Sequence, residues 1–267
     1  MDLGLGGKRV LITGGSRGIG FACAQTFLGE GADVVIAARD PERLAAAKKE
    51  LAARAQGKVE TSAVDMAAAG AAAKLAAAYP EIDILVNNAG AIPGGDLLAI
   101  DEGKWRAAWE LKVFGYVNLA REMFGRMKQR KRGVIVNVIG LGGERHNFNY
   151  IAGAAGNASL MSFTHAMGAH STDHGIRVVG VNPGLVATER MEFLMRTRQE
   201  RARRRRALER TAGQNRSALR PARLGRGDRQ CRRFPRLGPR RLYQRRRRAR
   251  RRRHAPPRPL TAVKHWA

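Results

Sequence analysis

Cysteine is scarce in this chain, since Cys23 and Cys231 are the only two among 267 residues. So sparse a set excludes a disulfide-stabilised scaffold and is typical of a reducing compartment. No apolar run approaches the ~20 residues that a membrane-spanning helix requires, and the N-terminal residues lack the apolar segment of a secretory signal. These absences predict a cytoplasmic protein with no membrane partner.

Acidic residues are scarce only in the C-terminal part. Residues 196–267 contain 28 Lys and Arg against 3 Asp and Glu, which leaves 22 against 19 for residues 1–195. The first segment therefore has the charge balance of an ordinary domain, and its length is enough to bury a substantial core. We predict a folded domain over 1–195 and a disordered, arginine-rich tail over 196–267.

Two interpretations of the tail remain open. A disordered polycation would bind nucleic acid without specificity. Alternatively, arginine codons of a GC-rich gene, read one nucleotide later, encode Gly, Ala, Val or Asp. Read in this way from Phe234, the tail permits a segment that ends in Val-Asp-Gly-Gly. We favour a frameshift that begins near residue 197, and we expect no specific nucleic-acid partner.

The most informative stretch is a glycine-rich turn near the start. A buried strand over 8–12 gives way to glycines and then to a helix over 18–29. Strand, turn and helix in this order place helix N–H groups opposite a pyrophosphate, and glycine avoids the β-carbon that would block its approach. The candidate cofactor-binding residues of this turn are Thr13, Gly14, Ser16, Arg17, Gly18, Ile19 and Gly20.

Strand and helix patterns alternate along the rest of the first 195 residues. Predicted strands cover 8–12, 34–38, 58–64, 82–86, 133–138 and 176–181, and one long helix is predicted over 104–130. Such alternation predicts a parallel sheet with right-handed crossovers. The fold class is therefore α/β, with a single Rossmann-like, doubly wound sheet that carries helices on both faces.

The end of the second strand carries information on cofactor choice. In dinucleotide-binding folds a carboxylate here suits a free ribose 2′-hydroxyl, whereas an arginine suits a 2′-phosphate. Arg39 and Arg17 therefore favour NADP over NAD, although NAD remains possible because Asp40 follows Arg39. The alternative is that Arg39 only ends the strand in solvent. Asp65, at the end of the third strand, is a further cofactor-binding candidate.

Three motifs together resemble the short-chain dehydrogenase/reductase family: Thr-Gly-x-x-x-Gly-x-Gly at residue 13, Asn-Asn-Ala-Gly at residue 87 and Pro-Gly-x-x-x-Thr at residue 183. The resemblance implies hydride transfer between a nicotinamide cofactor and a small carbonyl compound or secondary alcohol. It also implies a final helix and strand, which the frameshift would remove, and a homo-oligomer, which the loss of that strand puts in doubt. It assigns the adenosine side of the cofactor to Asn88, Ala89 and Gly90, and the nicotinamide end to Pro183, Gly184 and Thr188.

The catalytic positions depart from that family. The family has Asn on the long helix, Ser after the fifth strand, and Tyr-x-x-x-Lys. Aligned on Tyr150, this chain has Lys112, Gly140 and Ala154 at the other three positions. Gly140 and the small residues over 153–156 also predict room for a bulky substrate.

A phenol with a pKa of ~10 is a poor acid near neutrality unless a cation stabilises its phenolate. We therefore predict that Tyr150 is the general acid and that Lys112 supplies the charge. The alternative for Lys112 is an ordinary lysine on the polar face of a helix. Three functions thus remain open: an active reductase, a catalytically silent NADP-binding protein, and a nucleic-acid-associated protein.

Overall fold

One parallel sheet organises the protein. The computed structural model describes residues 3–53 and 55–184, together with 186, 200 and 203. Its six strands lie in the order β3-β2-β1-β4-β5-β6, and every neighbouring pair is parallel. The predicted doubly wound fold is thereby confirmed. The strands are β1 (Arg9–Thr13), β2 (Asp33–Ala38), β3 (Val59–Ala63), β4 (Ile84–Asn87), β5 (Gly133–Val138) and β6 (Ile176–Val181).

Helices connect successive strands, and one of them differs from the sequence prediction. The single helix predicted over 104–130 is divided by a π-helical turn, Glu110–Phe114. An extra residue in one turn leaves the apolar spacing on either side helical, so the pattern cannot reveal it. The described helices are α1 (Gly18–Gly29), α2 (Pro41–Ala52), α3 (Ala71–Ala78), α4 (Glu102–Trp109), α5 (Gly115–Arg130) and α6 (Ile151–Ser171).

Alternate residues of each strand face opposite layers of helices. Leu11 and Leu85 pack in one cluster with residues of α3 and α5. Ile12 and Val86, the next residues along the same strands, pack in a second cluster with residues of α1 and α2. Because side chains alternate across a strand, strands with apolar residues at every position are buried on both faces.

The two faces are covered unequally at β6. Val179 and Val181 are each 46% exposed, whereas Ile176 on the opposite face is fully buried. Within the described ranges the sheet ends at β6. Apolar surface is therefore exposed along the sixth strand.

The chain divides into two units, and the described residues all belong to the first, Met1–Glu209. The second unit and most of the predicted tail lie outside the described residues, so the boundary at residue 195 stays a prediction. Among the described helices, none is both long enough and apolar enough to cross a membrane.

Candidate nucleotide and active site

The glycine turn lies at the carboxyl ends of β1 and β4, where the strand order reverses. In doubly wound sheets ligands bind at this point. Gly14 has a φ of +66°, which L side chains rarely adopt. A Cβ on Gly20 would stand 2.4 Å from the carbonyl oxygen of Gly14. Both positions therefore require glycine for the turn to close.

Asn88 holds this turn in place. Its Nδ2 donates to the carbonyl oxygens of Thr13 and Gly14, at 3.0 Å and 3.2 Å. In return, Thr13 Oγ1 accepts the backbone N–H groups of Asn88 and Ala89, at 2.9 Å and 3.1 Å. Thr13, Gly14, Asn88 and Ala89, which are distant in sequence, thus form one rigid wall.

The start of α1 is suited to an anion. In the described part of the chain, no side chain caps the helix, and its first turn holds no acidic residue. Its first N–H groups therefore remain available, and the helix dipole favours negative charge here. Arg17 is the N-cap residue, and both Arg17 and Gly18 are exposed, with Ser16 and Ile19 half-buried beside them.

An apolar cleft of about 780 Å³ runs from this turn along α1 to the residues that follow β6. Desolvation in its wall raises the pKa of the Cys23 thiol above the ordinary value of 9.0. An uncharged thiol suits this apolar surface. The lining includes Gly18, Ile19, Cys23, Phe27, Pro183 and Val186.

The end of β2 presents arginine rather than acid. Arg39 has a side chain that is 63% exposed, and its Nη1 lies 4.0 Å from Asp65 Oδ2. Asp40 instead caps α2, where its Oδ1 accepts the N–H groups of Glu42 and Arg43 at 3.1 Å each. Asp40, the residue that kept NAD possible in the sequence analysis, is therefore engaged in capping α2.

Lys112 is buried, with 7% of its surface exposed. It belongs to the π-helical turn, and its Nζ donates to Val138 O and to Tyr116 Oη, both at 2.8 Å. A Cβ on Gly90 would stand 2.6 Å from Lys112 Cδ, so any other residue there would displace the lysine. This burial is contrary to the interpretation of Lys112 as an ordinary surface lysine. Its effect on Tyr150 stays a prediction.

Tyr150 is the N-cap residue of α6. The segment after β4 braces it, because Gly95 N donates to Asn149 O at 2.8 Å and Ile151 N donates to Gly95 O at 3.3 Å. The ring packs beside an apolar cluster that includes Ile92, Ile100, Trp105, Ala108 and Ala152.

The small residues over 153–156 do not leave the space that the sequence predicts. A Cβ on Gly153 would stand 2.0 Å from Tyr150 Cζ, so the ring itself fills that space. A Cβ on Gly156 would stand 3.2 Å from Trp109 Nε1 and 3.3 Å from Val113 Cγ2. At Gly153 and Gly156 the prediction of extra room was wrong, because these small residues admit neighbouring side chains of the protein.

Asn157 is a polar residue of this site that the sequence analysis missed. It is only 4% exposed, and its Nδ2 donates to Gly140 O at 3.3 Å. Aligning the helix on Tyr150 directs attention to Ala154, which is buried and apolar. The sequence feature that could have revealed Asn157 is its position four residues after Gly153, which places it on the same helix face.

The carboxyl ends of β5 and β6 close the site. Leu141 N donates to Pro183 O at 3.1 Å, which joins the segment after Gly140 to the residues that follow β6. Pro183 is half-buried and Gly184 is exposed. Thr188 lies outside the described residues. No group of three or more His, Cys, Asp or Glu within the described ranges could hold a metal ion.

Comparison with known proteins decides the family. A model described as short chain dehydrogenase matches residues 8–199. The chain belongs to this family. The match ends where the arginine-rich composition begins.

Individual relatives in the short chain dehydrogenase family agree with this assignment. Galactitol 2-dehydrogenase (L-tagatose-forming) of Cereibacter sphaeroides is 32% identical over 198 residues, which cover 73% of this chain and 78% of that protein. The 3-oxoacyl-[acyl-carrier-protein] reductase of Chlamydia muridarum is 31% identical over 189 residues, 68% and 75% of the two chains. L-sorbose reductase from Gluconobacter frateurii, solved with NADPH and L-sorbose, is 33% identical with a TM-score of 0.67, over 71% of this chain and 73% of that chain. Short-chain dehydrogenases are NAD(P)-dependent oxidoreductases, and this chain is one of them by family.

Proposed function

We propose that this protein is an NADP-dependent reductase of a small carbonyl compound, or equally a dehydrogenase of the corresponding secondary alcohol. The cofactor choice is supported by Arg39 at the end of β2 and Arg17 at the start of α1, with Asp40 engaged in the cap of α2. The NADPH in the L-sorbose reductase structure supports the same choice. An arginine suits a 2′-phosphate because its planar guanidinium donates two hydrogen bonds to phosphate oxygens.

The residues present fit a dinucleotide. The closed turn at Gly14 and Gly20 and the uncapped start of α1 would receive the pyrophosphate. We assign the adenosine side to Arg39, Asp65, Asn88, Ala89 and Gly90, and the nicotinamide end to Pro183, Gly184 and Thr188. The cofactor, when bound, supplies or accepts the hydride.

Tyr150 is the proposed general acid. It donates its phenolic proton to the carbonyl oxygen during reduction, and it takes the proton back during alcohol oxidation. The Lys112 ammonium would favour the phenolate. The buried apolar cluster beside the ring keeps water from that side of the phenol.

The alternative is a silent NADP-binding protein, which the changes at Gly140 and Ala154 favour. Turnover over a panel of ketones and aldehydes with NADPH separates the two. Any rate that Tyr150→Phe abolishes supports the enzyme. Tight NADPH binding without turnover of any compound supports the silent protein.

Cofactor choice is tested by Arg39→Ala. A charge-assisted hydrogen bond contributes about 1.5–3 kcal/mol, or roughly ten- to a hundredfold in affinity. Because the Arg39 side chain is 63% exposed, we expect the lower end for NADPH and no change for NADH. Arg43→Ala is the matched control, since Arg43 is an exposed arginine whose Nε pairs with Asp40 at 3.0 Å. Equal losses for NADPH and NADH in Arg39→Ala would refute the assignment.

A further inference from the structure

Two turns on the catalytic side of the sheet expose large apolar side chains. Leu98 is 96% exposed, the highest value among the large apolar residues of the described chain, and Leu97 beside it is 58% exposed. Phe148, two residues before Tyr150, is 67% exposed. A single exposed leucine is ordinary, whereas a group of large apolar side chains on neighbouring turns is typical of a binding surface. We call Leu97, Leu98 and Phe148 the apolar rim.

The apolar rim is joined to the backbone of Tyr150. Gly95 and Tyr150 form a parallel bridge, in which Gly95 N donates to Asn149 O at 2.8 Å and Ile151 N donates to Gly95 O at 3.3 Å. Each residue of the rim lies two or three positions from this bridge along the chain, so its Cα is at most about 11 Å away from the bridge. The rim therefore borders the proposed general acid.

Polar side chains of the same two turns hold the turns in shape. Asp96 Oδ1 accepts the N–H groups of Leu98 and Ala99, at 3.0 Å and 2.9 Å. Asn147 Oδ1 accepts the N–H group of Asn149 at 2.9 Å. Because the turns are already ordered, a ligand that contacts the rim loses little free energy to ordering them. The rim thus offers apolar contact from a fixed position.

We propose that the apolar rim binds the carbon chain of the substrate. The substrate class is then a ketone, or the corresponding secondary alcohol, that carries an apolar chain several carbons long. The inference rests on the proposed function, because Tyr150 as general acid determines where the carbonyl group lies. Each methylene that moves from water onto the rim favours binding, since apolar surface is removed from water.

The test measures kcat/KM with NADPH for butan-2-one, hexan-2-one and octan-2-one. Full burial of one methylene raises affinity about fourfold, and contact with an open rim is expected to raise it about twofold. We therefore expect kcat/KM to be at least about tenfold higher for octan-2-one than for butan-2-one. The double change Leu98→Ser and Phe148→Ser should lower this ratio at least about fivefold, because it removes most of the apolar area of the rim.

Leu3→Ser is the matched control, because Leu3 is an exposed leucine, at 53%, that lines the separate cleft along α1. It should keep the wild-type ratio. A wild-type ratio near 1 overturns the proposal, and so does a ratio that the double variant leaves unchanged. A changed oligomeric state in sedimentation with an unchanged ratio would assign the rim to a second copy of the chain. If the double variant does not fold, Leu98→Ser alone is measured by the same criteria.

The proposed function can fail separately. Turnover of butan-2-one without preference for octan-2-one overturns only the role of the rim. If no ketone is turned over, the proposed reductase is wrong, and the Kd of octan-2-one in the presence of NADPH, measured by calorimetry, decides the role of the rim. A Kd that the double variant weakens at least about fivefold supports binding at the rim. An unchanged Kd, or no measurable binding to the wild-type protein, overturns it.

Discussion

Gly153→Ala should inactivate the protein without unfolding it. The new Cβ would stand 2.0 Å from Tyr150 Cζ, whereas ordinary contacts begin at 3.4 Å, so the ring must move by about 1.4 Å or rotate away. A misplacement of this size lowers the rate about a hundredfold. Losing the general acid altogether costs roughly 10²- to 10⁴-fold. We therefore expect kcat to fall at least a hundredfold, towards the rate of Tyr150→Phe.

Stability should change little in this variant. Alanine in a helix interior is favoured over glycine by about 0.5–1 kcal/mol, which offsets part of the cost of moving the ring. The assays are kcat with NADPH and the best ketone of the panel, together with the thermal unfolding midpoint. Gly125→Ala in α5 is the matched control, because nothing lies within 4 Å of its added Cβ. A folded Gly153→Ala protein with wild-type kcat would refute the functional importance of this ring position.

Two further predictions concern Lys112 and the tail. Lys112→Met should lower kcat and move the basic limb of the pH–rate profile to higher pH, because the Tyr150 phenolate loses its cation, while NADPH still binds. Tyr116→Phe is the control, since it removes the phenol next to Lys112 and should leave the basic limb where it is. An unchanged profile in Lys112→Met would contradict the role of the lysine. Sequencing the gene across codons 196–199 should find a missing or additional nucleotide whose correction restores a segment ending near Val-Asp-Gly-Gly. An intact reading frame there would contradict the frameshift.

Local patterns in the sequence determined the sheet and the nucleotide turn. Apolar runs bounded by glycine and polar residues predicted five of the six strands, because strands buried on both faces need an apolar residue at nearly every position. The third strand, β3, was predicted instead from its alternation of apolar and polar residues. The glycine turn was readable for a similar reason, since no other residue permits that backbone. The helix cap at Asp40 could also have been predicted from the sequence, because an acidic residue directly before a proline is typical of a helix start.

Only the tertiary structure decided the arrangement of the catalytic side. The π-helical turn places Lys112 against Val138, a residue of a strand distant in sequence. No periodicity in the sequence predicts this turn. Counting from Tyr150 along the chain gives Ala154, but the ring lies over Gly153 and so brings Asn157 into the site. Sequence spacing fixes where each Cα lies on a helix. Where a long side chain ends depends on the neighbours that leave it room, and those neighbours are set by packing.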